Sequence, residues 1–196
     1  MLLAELAGPS GVGKSAIYEA VVASGEVTPN PMPSLEEALE GISGTENFSN
    51  LIECITRTAR GSNADQRRSF LYRSLYKYTI AAQSVGKPMV IDGGLVQRGF
   101  AVEQLNCKVT LEKFWQVMPA PDVLFMVSAD RNTILDRNKE RGGNHDRSWQ
   151  VDMALAHFVR AYDVLKGRGI RIVSIDATHS VKQNACVVLD VLRELS

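Results

Sequence analysis

The chain has 196 residues, 22 Lys plus Arg against 22 Asp plus Glu, and 45% hydrophobic positions, which suits one globular domain with a substantial core. A formal charge of zero disfavours binding dominated by the nucleic-acid backbone, which calls for a basic surplus, although a local basic patch remains open. Cys54, Cys107 and Cys186 fit neither a disulfide framework nor a zinc site, residues 1–6 leave no room for a signal segment, and no apolar run suits a bilayer. A cytoplasmic location is the resulting expectation.

Residues 2–7 read as a buried strand, and helical spacing over 13–24 follows a glycine-rich turn. A weak strand signal stands at 25–28. The stretch 26–53 is less regular, with Pro29, Pro31 and Pro33 close together and Glu26, Glu36, Glu37, Glu40, Glu46 and Glu53 unbalanced by any base. The sign then reverses. Arg57, Arg60, Arg67, Arg68, Arg73 and Lys77 face only Asp65, and Tyr72, Tyr76 and Tyr78 are interleaved with them, in part on a helix expected over 67–84. Further strands are expected at 88–92, 122–128 and 169–175, with helices at 131–141, 148–166 and 180–194. Buried strands alternating with amphipathic helices imply an α/β three-layer sandwich, a parallel sheet covered on both faces. No internal repeat or low-complexity tract is present.

Gly8-Pro9-Ser10-Gly11-Val12-Gly13-Lys14-Ser15 matches the phosphate-loop (Walker A) pattern at every fixed position, between a strand and a helix. Glycines let successive backbone N–H groups turn inward around an anion. The following helix adds its positive end, Lys14 can reach the β and γ phosphates, and the Ser15 hydroxyl can ligand Mg²⁺.

A phosphate loop alone does not separate kinases, GTPases and motor ATPases. Guanine selection needs Asn-Lys-x-Asp at a strand end, whereas Asn138-Lys139 continues as Glu140-Arg141 within an expected helix. The strand ending at Asp92 carries a carboxylate where a magnesium-ordering acid would stand, but Gly93-Gly94 follow and no second acid is adjacent to hold a hydrolytic water. A small-molecule kinase instead needs a mobile arginine-bearing lid. Arg131, Arg137, Arg141 and Arg147 supply it over 130–147, with Arg137 and Arg141 on one helical face and Gly142-Gly143 as a hinge.

With Pro121-Asp122-Val123-Leu124-Phe125, Arg137, Arg141-Gly142, Asp146-Arg147, Phe158-Val159-Arg160-Ala161-Tyr162 and Ile175-Asp176-Ala177 in this order, the chain resembles the nucleoside-monophosphate kinase superfamily, and its thymidylate kinase branch most closely. The resemblance implies a single kinase domain with a five-stranded parallel sheet, an acceptor-binding helical insertion at 26–84 and a lid at 130–149. It further implies Mg-ATP as donor, lid arginines on the transferring phosphoryl group, the 175–177 loop packed near the adenine, and a homodimer. The donor-binding set is then Gly8, Ser10, Gly11, Val12, Gly13, Lys14, Ser15, Ala16, Arg137 and Ala177, with Lys14, Asp92, Arg137, Arg141 and Arg147 as catalytic candidates and Ser15 with Asp92 at the metal. The acceptor half departs from that branch. The Asp-Arg-aromatic expected after the strand is replaced by Asp92-Gly93-Gly94, and the Asp-Arg of the acceptor helix is absent from Tyr72-Arg73-Ser74-Leu75.

Ligands in open parallel sheets sit beyond the carboxyl ends of the strands, which places Asp92 beside the phosphate loop as a ligand to a Mg²⁺-bound water or as a base for a hydroxyl acceptor. Arg57, Arg68, Tyr72, Arg73, Tyr76 and Arg98 are the acceptor-binding candidates, since guanidinium pairs bidentately with phosphate and tyrosine can stack on a base. On a plain packing reading, Leu71, Leu75 and Tyr78 are buried and the charges are solvated. His145, His157 and His179 lack ligand spacing and read as ordinary surface or packing residues, and Trp115 and Trp149 as packing residues. The expected activity is transfer of the γ-phosphoryl of Mg-ATP to a (deoxy)nucleoside monophosphate or a related nucleotide-like acceptor. The alternatives are a hydroxyl acceptor, on a nucleoside, a sugar or a modified base in DNA, and a regulatory nucleotide-binding ATPase module.

Overall fold

The computed structural model describes residues 1–42, 64–104, 110–140 and 148–196. Its strands are β1 (Leu3–Ala7), β2 (Met89–Asp92), β3 (Val123–Ser128) and β4 (Arg171–Asp176), paired in parallel in the order β2-β1-β3-β4. Parallel neighbours need long crossovers. The described helices are α1 (Lys14–Ala23), α2 (Leu35–Ile42), α3 (Ala64–Gln83), α4 (Leu95–Gln104), α5 (Leu111–Val117), α6 (Arg131–Glu140), α7 (Ser148–Gly167) and α8 (Val181–Leu195).

Successive side chains of a strand point to opposite faces, and β1 sorts the core accordingly. Leu3 and Ala7 join Met89, Ile91 and Leu124 in a cluster closed by Leu71 and Leu75 of α3, Leu95 of α4, Phe114 and Trp115 of α5, and Phe158 and Leu165 of α7. Ala4 and Leu6 join Val90, Phe125 and Ile175 against Ile17 and Val21 of α1, Ile134 of α6, and Val188 and Leu192 of α8. This is the three-layer arrangement. Each fully buried Leu, Ile or Phe contributes about 1.5–3 kcal/mol, so two such clusters are the main source of stability.

The sheet has four strands among the described residues, where the resemblance implied five. The weak 25–28 signal survives as a single parallel bridge from Thr28 to Met89. Thr28 donates its N–H to the Pro88 carbonyl at 2.7 Å, but Pro29, Pro31 and Pro33 have no N–H to continue a ladder. Helices α4 and α5 lie where no helix was expected, whereas α2 falls within the stretch 26–84 given above as a helical insertion. In α4, Gly99 lowers helix propensity, yet a Cβ there would lie 2.7 Å from Trp115 Nε1, so the glycine admits the tryptophan. The N-cap of α5 is Thr110, whose side chain accepts from the Lys113 N–H at 3.2 Å. The capping box of Ser180 and Gln183 starts α8. Trp115 is fully buried as expected, whereas Trp149 is 53% exposed. No described helix is long and apolar enough to cross a membrane.

Candidate active site

The phosphate loop connects the buried β1 to α1. Gly11 and Gly13 have φ of 87° and 110°, the left-handed region where a side chain is strained, and the Val12 N–H closes the turn on the Pro9 carbonyl at 3.3 Å. Lys14 lies back over the loop, its Nζ donating to the carbonyls of Gly8 at 2.8 Å and Pro9 at 2.9 Å. The Ser15 hydroxyl donates to Asp92 Oδ2 at 2.9 Å, joining the first turn of α1 to the end of β2. The register of β1 and β2, with Leu6 opposite Asp92, brings the loop and the carboxylate together. A hydroxyl and a carboxylate at hydrogen-bond distance form an all-oxygen donor set that fits magnesium, which prefers few protein ligands and fills its shell with water and phosphate. Ser15 and Asp92 are the residues that would hold that ion.

Helix α6 is anchored by Asp130, which accepts the Thr133 N–H at 3.0 Å and whose carboxyl is held below the usual range first by the Thr133 side chain and then by that N–H. Two turns on, Arg137 donates to the Val12 carbonyl at 2.7 Å and to the Ala177 carbonyl at 2.9 Å. It thereby ties the phosphate loop to the β4–α8 loop. That second loop is itself fixed, with the Ala177 N–H on the Ser128 carbonyl at 2.8 Å and the Thr178 N–H on Asp176 Oδ1 at 2.8 Å. Beneath Arg137 opens a cavity of about 330 Å³ lined by Val12, Gly13, Ala16, Ile17, Glu140, Ala177, His179, Val181 and Asn184. The expected donor-side residues Val12, Gly13, Ala16, Arg137 and Ala177 thus meet at one cavity. Arg137 lines this cavity through the bonds that join its two walls. His179, read as an ordinary surface or packing residue, lines it as well. Asn138 places Nδ2 3.5 Å from the Ser10 carbonyl, and a Cβ on Gly11 would lie 2.2 Å from Asn138 Oδ1. Arg131 forms a bidentate pair with Asp152 of α7 at 2.6 and 2.9 Å. Arg141 and Arg147 lie outside the described residues.

On the other side of Asp92, the acceptor candidates divide. Tyr72 and Tyr76 are half-buried and pack against the α3-side core, which is the packing reading of that helix, and Leu71, Leu75 and Tyr78 are buried as expected. Arg57 lies outside the described residues, as does the side chain of Arg68. Arg73 and Arg98 remain. Each has a buried Nε with no hydrogen-bond partner among the described residues. Arg98 stands over the Phe70 ring at 4.5 Å, and a Cβ on Gly93 would lie 3.4 Å from its Nη2. Burial lowers its proton affinity, partly offset by Glu5 and Asp92.

Sequence reading missed two members of this region. Lys77, counted with a solvated basic stretch, is only 7% exposed, and its ammonium is pushed down to about 8 by burial first and then by Arg98, against the opposing pull of Asp92 and Glu5. Glu5 is fully buried in β1 and accepts from the Tyr78 hydroxyl, the Val96 N–H at 3.2 Å and the Gln97 N–H at 2.9 Å. Burial raises its carboxyl to about 7 in spite of those bonds. It also explains Gly94, where a Cβ would sit 2.4 Å from Glu5 Oε2. The only signal for Glu5 was an acid inside an otherwise apolar strand.

No sequence-family model and no curated protein matches the chain. Three solved structures of deoxyadenosine kinase from M. mycoides are similar to it, each matching 98% of this chain and 100% of that one. With dATP bound the TM-score is 0.61 at 14% identity, with the products dCMP and dCDP 0.60 at 13%, and with dCTP 0.55 at 13%. The chain shares the fold of these structures. The likeness does not single out the thymidylate kinase branch.

Proposed function

We propose that the chain is an ATP-dependent phosphotransferase whose acceptor already carries a phosphate, a nucleoside monophosphate or a related nucleotide. The observation that carries the acceptor half is the cluster of Arg73, Lys77 and Arg98 next to Asp92. Burial first, and then Arg98 and Arg73, lower the proton affinity of Lys77 against the pull of Asp92 and Glu5, and none of the three cations has a carboxylate oxygen at ion-pair distance among the described residues. Gathering like charges in a partly dehydrated place is costly unless an anion joins them, and a phosphate monoester with charge between −1 and −2 answers that need.

On the donor side, the loop N–H groups, Lys14 and the α1 dipole receive the phosphates of ATP, and Arg137 frames the cavity for its base. Magnesium at Ser15 and Asp92 would supply charge neutralisation of the β and γ phosphates. In the transfer, an acceptor phosphate oxygen forms the new P–O bond at the γ-phosphorus, the bond from that phosphorus to the β–γ bridging oxygen breaks, and ADP leaves with the electron pair. An ionised monoester has no proton to lose, so the site needs no strong base.

A second reading, transfer to a nucleoside hydroxyl, is favoured by the likeness to deoxyadenosine kinase. Asp92 would then take the hydroxyl proton. The deciding experiment is a screen with γ-labelled ATP against nucleosides, nucleoside monophosphates, sugars and duplex DNA carrying a hydroxymethylated base. Label in a nucleoside diphosphate supports the first reading, and label in a nucleoside monophosphate the second. Label released only as inorganic phosphate, with every acceptor, points to a regulatory ATPase module and overturns both.

A further inference from the structure

We propose that Gln97 and Glu5 are positioning residues that couple the phosphate loop to α4, so that filling the loop orders the helix that carries Arg98. The inference rests on the phosphate loop binding ATP, as above. The Gly8 N–H, at the start of the loop, donates to Gln97 Oε1 at 3.0 Å. The backbone N–H of the same glutamine donates to Glu5 Oε1 at 2.9 Å, and its neighbour Val96 donates to Glu5 Oε2 at 3.2 Å. Tyr78 of α3 donates to that second oxygen. One side chain therefore joins the loop to the first turn of α4, and one buried carboxylate joins that turn to β1 and α3. Arg98 is the next residue along the helix.

An apolar side chain would fill the Glu5 position at lower cost, as Leu3 and Ala7 do on the same face of β1. What an apolar residue cannot do is accept two N–H bonds from the start of α4 where no water competes. Gly93 and Gly94 belong to the same arrangement: the turn between Asp92 and α4 takes φ of 72° at Gly93, and Gly94 leaves the space in which the carboxylate lies. A displacement of the loop by bound phosphates is thus transmitted to Gln97, to the α4 N-terminus and to Arg98 through bonds that fix direction as well as distance.

The test is amide hydrogen exchange of the full chain with and without Mg²⁺ and a non-hydrolysable ATP analogue, in the wild type, Gln97→Leu, Gln97→Glu and Glu5→Gln. Gln97→Glu keeps an acceptor oxygen for the Gly8 N–H, and Gln97→Leu removes it. The analogue is expected to slow exchange over residues 8–13 in all four proteins. Over residues 95–104 it should slow exchange about tenfold or more in the wild type and Gln97→Glu, and little in Gln97→Leu. Glu5→Gln turns one acceptor oxygen into an NH₂ group facing a helix N–H and should also lose the protection of 95–104. Equal protection of that helix in Gln97→Leu and wild type overturns the coupling, as does none in the wild type. Wild-type protection in Glu5→Gln overturns the part assigned to Glu5. A wild type that does not bind the analogue overturns the ATP reading and the coupling with it, whereas one that binds it but phosphorylates no acceptor overturns only the transfer reading, and exchange still decides the coupling. Where transfer is found, Gln97→Leu should lower kcat about tenfold at little change in KM for ATP, with Gln97→Glu restoring it.

Discussion

Ser15 and Asp92, 77 residues apart in the chain, are joined by a hydrogen bond of 2.9 Å from the serine hydroxyl to the carboxylate. The hydroxyl satisfies one carboxylate oxygen. Magnesium would replace that contact with two metal–oxygen interactions, direct or through water. Asp92→Asn keeps the shape and removes the charge. For a phosphate acceptor its kcat should fall and recover as Mg²⁺ is raised, because only metal affinity is damaged. For a hydroxyl acceptor the loss should be on the order of a hundredfold or more and persist at saturating Mg²⁺, since a proton acceptor is gone. The measurement is kcat against Mg²⁺ concentration with the acceptor found in the screen, and an unchanged kcat at low Mg²⁺ would remove Asp92 from the site.

Lys14 donates to the loop's own Gly8 and Pro9 carbonyls, which holds its ammonium over the loop where the phosphates of ATP are proposed to bind. Lys14→Ala should lower kcat on the order of a hundredfold or more while leaving the thermal midpoint within a few degrees. Kinetics alongside a thermal melt separates the two effects, and a variant keeping a third of wild-type turnover contradicts the assignment.

Arg137 spans Val12 and Ala177, one from each wall of the cavity proposed for the donor. Its guanidinium bonds exist before any phosphoryl group moves, so Arg137→Ala should act on ATP binding more than on the chemical step. Loss of the tie between the two walls leaves the cavity less ordered before ATP enters, and a weakening of Kd for ATP on the order of tenfold is expected. Titration calorimetry with a non-hydrolysable analogue tests this, and a lowered kcat with unchanged analogue affinity would return Arg137 to the transferring-phosphate role.

The turn between β1 and α1 was legible because its pattern lies in consecutive residues, and Gly11 and Gly13, which the pattern fixes, take the positive φ it requires. Asp92 was legible by a positional rule, the strand end beside the loop. The acceptor half was not. Glu5 meets Tyr78 at a sequence separation of 73 and Val96 at 91, and no local pattern reports such distances. Lys77 looked solvated because its neighbours are charged, yet it occupies the same helix face as Ser74, whose hydroxyl donates to the Gly93 carbonyl at 3.3 Å. The fifth strand failed for a readable reason, the three prolines after Thr28, whereas α4 hid behind Gly99, whose purpose appears only once Trp115 is seen against it.

Glu5 also sets a pH dependence of stability. Its carboxyl titrates near an ordinary value of 4.5 in the unfolded chain and is raised to about 7 in the fold, burial being the first cause. Between those values the folded protein binds a proton that the unfolded chain has released. This contribution is fully present below pH 4.5 and is lost as pH rises through 7. A difference of this size corresponds to about 3 kcal/mol. Lys77 acts in a separate window: its ammonium is lowered to about 8 from 10.5, so its charged form opposes folding below pH 8 and that opposition is relieved toward 10.5. The two windows allow Glu5 to be isolated by comparing pH 5 with pH 7.5. Urea unfolding of the wild type should show a larger fall in stability over that interval than Glu5→Gln, which cannot titrate, by up to about 3 kcal/mol. Equal falls in the two proteins would mean that Glu5 stays ionised in the fold throughout, with the Tyr78, Val96 and Gln97 donors outweighing its burial.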